Sequence, residues 1–174
     1  PFEIDQKSLD ATLEFIIGRL KNSLTDQGFR FDAVDAVLAE QNHNPAGVYR
    51  AVKELSGWIA RKDWTTILPA YARCVRITRD QKTIYPVDPA NFAEPSEKEL
   101  FSAVEAIEQL PRKQGSVDDL LNAFIPMIPA VNRFFDEVLV MAEDVHVRNN
   151  RLGLLQGIAN LTRGVVDLSY LEGF

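Results

Sequence analysis

Residues Val131–Leu161 read VNRFFDEVLVMAEDVHVRNNRLGLLQGIANL. This stretch decides the fold, because it predicts a helix, a short extended joint and a second helix. The first helix is expected to bury Val131, Phe134, Phe135 and Val138. The joint is Leu139-Val140-Met141-Ala142-Glu143, apolar and then acidic. Asp144 is placed to cap the second helix, since its carboxylate can accept hydrogen bonds from the free N–H groups of the first turn. Leu152, Leu155, Ile158, Leu161 and Val165 then recur at the three-to-four spacing of one buried face. Between cap and core lie Arg148, Asn149, Asn150 and Arg151. On spacing alone, these four planar, hydrogen-bonding side chains read as a solvated helix start.

Outward from this stretch the helical pattern continues. Leu9, Leu13, Ile16, Ile17, Leu20 and Leu24 predict an amphipathic helix that Gly28 closes. Asp32 is the expected cap of a short second helix bearing Val34, Val37 and Leu38. Asn44 and Pro45 open a third, with Val48, Val52, Leu55 and Ile59 inside. Asp63 is read as the cap of a fourth, whose apolar face is Trp64, Leu68, Tyr71 and Val75, and Pro69 either kinks it or marks its true start. Pro86, Pro89 and Pro95 break the pattern over residues 80–95, which read as an ordered extended connection packed on the body. Ser96-Glu97-Lys98-Glu99 reads as a capping box for a fifth helix carrying Leu100, Val104 and Ile107. Ser116 caps a sixth with Leu120, Leu121 and Phe124, interrupted by Pro126 and Pro129. The Glu172-Gly173-Phe174 tail is expected to fray. No segment alternates convincingly as a strand. The expectation is an all-α bundle of about seven helices, one domain over residues 1–174.

Composition bounds the function. Hydrophobic residues make up 46% and charged residues 25%, ordinary for a globular protein, and no apolar run is long enough to span a bilayer. No signal peptide is expected. The chain opens Pro1-Phe2-Glu3 without methionine, which suggests a fragment of a longer polypeptide. One cysteine, Cys74, rules out an internal disulfide and is compatible with a reducing cytoplasm. Two distant histidines make a zinc site unexpected.

The net charge of −6 is unevenly distributed. Residues 50–82 hold eight basic and three acidic side chains, a net +5, which leaves −11 for the remainder. An acidic body with one basic segment suits a protein that meets a polyanion on one face. On a helix from Trp64 to Thr78, Arg73 and Arg76 project opposite the apolar face, and Arg79 follows one turn on. Guanidinium groups at that spacing can contact successive phosphates or base edges. The plainer alternative is a solvated helix face. Trp58 and Tyr49 are either stacking platforms or core.

Catalytic arrangements are missing. There is no glycine-rich phosphate loop, no Gly-x-Ser-x-Gly and no His-Glu-x-x-His. Asp32 with Asp35, and Glu143, Asp144 and His146, are better explained by capping and the helix dipole than by acid–base or metal chemistry. Cys74 sits between Arg73 and Arg76 but borders the apolar face, so a buried structural thiol is expected.

Four ordered blocks carry a resemblance. They are Gly28-Phe29-Arg30-Phe31-Asp32-Ala33-Val34-Asp35-Ala36-Val37-Leu38-Ala39; Ala72-Arg73-Cys74-Val75-Arg76-Ile77; Val87-Asp88-Pro89 through Phe92, Glu94, Pro95 and Glu97; and Phe134-Phe135-Asp136 through Val140-Met141-Ala142-Glu143-Asp144 with Asn150-Arg151-Leu152 and Leu154-Leu155. Together they resemble the C-terminal region of bacterial glycyl-tRNA synthetase β subunits, or of an α–β fused enzyme. Arg76 stands where that family often has Asn, and Ala72 where it often has Lys. The resemblance implies an all-α, DALR-type anticodon-binding domain, non-catalytic on its own, that recognises the anticodon stem-loop of glycine tRNA in support of aminoacylation in the cytoplasm. ATP and Mg would serve the catalytic part, with no cofactor in this domain. Its partners would be glycine tRNA and the remaining domains or the α subunit, with no membrane. Residues expected at the RNA are Arg73, Arg76, Arg79, Arg50, Lys53 and Arg30, with the Arg148, Asn149, Asn150 and Arg151 turn able to read bases. The alternative from another class is a helical protein-interaction module whose basic face binds an acidic partner.

Overall fold

The computed structural model describes residues 5–174, so the opening Pro1-Phe2-Glu3 lies outside the described residues. Those residues form eight α-helices and no strand: α1 (Gln6–Asp26), α2 (Phe31–Gln41), α3 (Pro45–Ile59), α4 (Trp64–Thr78), α5 (Pro95–Gln109), α6 (Val117–Phe124), α7 (Ile128–Glu137) and α8 (Val145–Asn160). The fold class is therefore all-α, as the sequence predicts. The count is eight because Pro126 and Pro129, which lack N–H donors, tighten residues Ile125–Met127 into one 3-10 turn between α6 and α7. Pro69 stands inside α4 rather than at its start.

Local caps form where a short polar side chain precedes a helix. Asn44 Oδ1 accepts the Gly47 N–H at 3.0 Å, Ser116 Oγ accepts that of Asp119 at 3.2 Å, and Asp144 Oδ1 accepts those of His146 and Val147. Two expected caps fail because an arginine two residues away claims the carboxylate. Asp63 stands before α4 but takes both hydrogen bonds from Arg61. Asp32 lies inside the first turn of α2, buried, with Arg30 at the cap position. It accepts from Arg30, from the Ala33 N–H and from the Glu172 N–H. This last bond corrects the expected fraying of the C-terminal tail. Leu171 is buried and Phe174 lies against the Tyr71 ring.

The capping box of α5 is shifted by two residues, to Glu94 and Glu97. The helix starts at Pro95, and Glu97 reaches back to the Glu94 N–H at 2.6 Å and the Ala93 N–H at 2.7 Å. Helix α1 departs from its pattern in another way. Among the described residues of the helix only Leu24 is buried, while Leu9, Leu13, Phe15 and Ile16 are exposed, because α1 packs mainly on α2 and α3.

Helix α8 is the centre. It packs against α4 and α5, and residues 83–88 run antiparallel along it. The sequence pattern predicts one buried face, yet Asn150, Arg151, Leu152, Gly153, Leu154 and Leu155 are all buried. Extended backbone outside a sheet must find partners for its N–H and C=O groups. Asn150 supplies them at Asp88, accepting its N–H at 2.7 Å and donating to its carbonyl at 3.1 Å. Gln156 accepts the Tyr85 N–H at 3.0 Å and donates to the Thr83 carbonyl at 2.8 Å. Gly153, between these two rungs, lets the strip approach: a Cβ there would meet the Tyr85 carbonyl oxygen at 2.6 Å. The 80–95 connection is thus ordered and packed, as expected.

Among the described residues no helix is long and apolar enough to cross a membrane.

Two outcomes are expected. Gly153→Ala should destabilise the protein by about 1–3 kcal/mol through overpacking, despite the roughly 1 kcal/mol helix-propensity gain, whereas Gly157→Ala, whose Cβ would meet only Val104 Cγ1 at 3.7 Å, should be neutral or stabilising. Urea titration of both variants checks this. For Asp32, burial alone would raise the pKa, but the Arg30 and backbone hydrogen bonds hold it below 3.8. A carboxyl depressed in the folded state contributes stability above its unfolded pKa and loses it as pH falls through the folded one. Acidification below 3.8 should therefore release the tail, and Asp32→Asn should flatten that acid limb in thermal melts recorded against pH.

Candidate nucleic-acid interface

The polar turn at the start of α8 does not face solvent. The Arg151 side chain is 8% exposed and donates from Nε to Glu97 Oε1 at 2.8 Å, with Glu97 fully buried, and from Nη1 to the Leu139 carbonyl at 2.9 Å. Asn150 is occupied on Asp88. The sequence reading of these two as base readers is corrected: α4, α5 and the connection surround α8, so both side chains are consumed inside the protein. Arg148, half-buried, donates to the Ala142 carbonyl at 3.3 Å and braces the joint. Asn149 is half-buried beside it.

Helix α4 does present arginines. Its buried face is Trp64, Ile67, Leu68, Tyr71 and Cys74, and Arg73, Arg76 and Arg79 are exposed. Arg73 lies over the Phe135 ring at 4.3 Å, and Arg76 lies 5.7 Å from the Phe174 ring. Such contacts hold the stems while leaving guanidinium hydrogen-bonding edges for a ligand. Among the described residues none of the three pairs with a carboxylate. Cys74 faces the other way, fully buried, and burial pushes its thiol up to about 12, an unreactive state.

The other predicted cations point elsewhere. Arg50 and Lys53 line an open groove of about 600 Å³ between α3 and α6, together with Trp58 and Arg61. This groove is largely self-neutralised. Arg50 lies 3.7 Å from Glu54 and donates to the Gln114 carbonyl, and Arg61 pairs with Asp63 and holds that carboxyl below its ordinary value. Trp58 is buried and donates from its indole N–H to Asp118 at 2.7 Å, with Arg61 stacked on its ring at 4.0 Å. It is core rather than a free platform. Tyr49 is exposed with its ring against Phe29. Arg30 is committed to Asp32 and Glu172. The +5 segment therefore does not make one patch.

Sequence reasoning passed over Arg163. It lines a cleft of about 220 Å³ with Arg79, where the ends of α4 and α8 meet. Its position just beyond α8 is legible in the sequence, but its neighbour is not.

Residues 67–168 match the DALR anticodon binding domain family, a span that runs from within the first turn of α4 through α8. Over almost the whole chain it is similar to glycine–tRNA ligases. It is 32% identical to the chloroplastic/mitochondrial 2 enzyme of Arabidopsis thaliana (100% of this chain, 16% of that protein). It is 33% identical to the β subunit of Moorella thermoacetica (98% and 25%) and 34% identical to that of Geotalea daltonii (95% and 24%). The chain spans about a quarter or less of these relatives' length.

Arg151→Ala should cost about 3–5 kcal/mol, because it leaves the Glu97 carboxylate buried without its cation. Guanidinium denaturation should show this loss. Arg148→Ala, removing only a half-buried bond to a carbonyl, should cost about 1 kcal/mol.

Proposed function

This chain belongs to the DALR anticodon-binding domain family, and we propose that it holds the anticodon stem-loop of glycine tRNA as the non-catalytic part of a glycine–tRNA ligase. The observation that carries the reading is the full-length similarity to named glycine–tRNA ligases, combined with the family match over residues 67–168. The physical support is the exposed Arg73, Arg76 and Arg79 row, which among the described residues pairs with no carboxylate, on a chain of net charge −6. Loop bases of RNA can be splayed out, stacked on guanidinium planes and read on their edges. Arginines already resting on Phe135 and Phe174 lose less side-chain entropy on meeting them. Amino-acid activation, with ATP and Mg, would belong to the rest of the ligase, in the cytoplasm for a bacterial enzyme.

A mobility-shift comparison of glycine tRNA, the same tRNA with its anticodon exchanged, and an unrelated tRNA tests the reading. Preference for the intact anticodon is expected, with affinity falling steeply as salt rises because phosphate contacts release counterions. Equal binding to all three, or a flat salt response, would sink it. Arg73→Ala and Arg76→Ala should leave the fold within about 0.5–1 kcal/mol of wild type, the worth of an exposed cation–π contact. Each should weaken tRNA binding by about 1–3 kcal/mol if it reads a base edge. The chain alone should not support glycine-dependent pyrophosphate exchange, and measurable exchange would overturn its non-catalytic role.

A further inference from the structure

Two clefts meet at Arg163. One, about 220 Å³, lies where α4 and α8 end and is lined by Arg79, Asn160 and Arg163 among others. The other, about 400 Å³, lies between the turn at Arg112-Lys113-Gln114-Gly115 and the turn after α8, and Arg163 lines it too. The path from Arg79 through Arg163 to Arg112 and Lys113 therefore carries four cations. Among the described residues none of them pairs with a carboxylate, and no carboxylate lines either cleft. Among the described residues, carboxylates touch the path at the backbone N–H groups of Lys113 and Gly164, held by Asp119 and Glu40, and at the Ser116 hydroxyl, which donates to Glu54 at 3.2 Å, but at none of the four cationic side chains. On a chain with 25 acidic residues, this contrasts with the α3–α6 groove, where Glu54 and Asp118 sit among the cations.

Uncompensated cations along connected clefts attract a polyanion. No aromatic side chain lines either cleft, so neither offers a platform on which a base could stack. Gln81, Asn160 and Gln114 add uncharged hydrogen-bonding groups suited to phosphate or ribose oxygens. We propose that Arg79, Arg163, Arg112 and Lys113 form a phosphodiester track that grips an RNA backbone without reading its sequence. This deepens the tRNA-binding reading and rests on it. The track positions the RNA, while any discrimination of bases falls to the neighbouring Arg73 and Arg76.

The test uses the whole chain and fluorescence anisotropy with labelled glycine tRNA and an unrelated tRNA across a salt series. Arg163→Gln, a change at an exposed and unpaired side chain, should weaken both tRNAs by the same several-fold factor and lower the salt slope by about one. Lys113→Gln is the second variant, expected to act in the same way and to decide the matter if circular dichroism shows Arg163→Gln misfolded. Wild-type binding that neither variant alters would overturn the track and leave the tRNA reading standing. Weakening confined to glycine tRNA would overturn the backbone assignment in favour of base reading. Failure of the wild-type chain to bind either tRNA at low salt would overturn both. Competition by polyglutamate as effective as by RNA would overturn the RNA assignment in favour of an acidic polypeptide.

Discussion

The Glu97 carboxylate is fully buried and, among the described residues, takes its charge balance from Arg151 alone. Oε1 accepts from Arg151 Nε, and Oε2 accepts from the N–H groups of Ala93 and Glu94. Arg151 spends a second donor on the Leu139 carbonyl. One desolvated ion pair thus ties the start of α5, the end of the 80–95 connection, the middle of α8 and the joint after α7. Such a pair does not add much net stability over an apolar packing, since both charges were removed from water. Its effect is on arrangement. Any packing that separates these segments leaves a buried charge without its partner, and that penalty selects the observed register.

Helix α8 is a scaffold for the same reason. Asn150 and Gln156 replace the hydrogen bonds that the extended 83–88 strip would otherwise make to water or a neighbouring strand, and Gly153 removes the side chain that would hold it off. With Asn150, Arg151 and Gln156 bonded inside the protein, the middle of α8 holds the fold together, and only its end, at Asn160, lines an open cleft. The exposed cations that carry the proposed RNA contact lie on α4 and beyond the helix ends. There the geometry divides arginines that rest on aromatic rings, Arg73 and Arg76, from cations that line carboxylate-free clefts, Arg79 and Arg163. Arg50 and Arg61 are different again: carboxylates of their own neighbourhood discharge them.

What the sequence determined by itself is what short range decides. Helices appear where apolar residues recur every three to four positions, and Asn44, Ser116 and Asp144 cap them because the acceptor and the free N–H groups lie within three residues. The burial of Cys74 and the exposure of Arg73 and Arg76 follow from helix phase alone. The segregation of positive charge into residues 50–82 is also a property of order along the chain. Only the tertiary structure decided which polar groups stay free. Arg148, Asn149, Asn150 and Arg151 look alike in sequence, yet Arg151 meets Glu97 from 54 residues away and Asn150 meets Asp88 from 62. The tail is held by Asp32, 140 residues distant. A side chain's chemistry states that it must be hydrogen-bonded when buried, but whether it is buried depends on which remote elements pack over it. Desolvation is set by the whole fold, and so is the set of polar groups left at the surface.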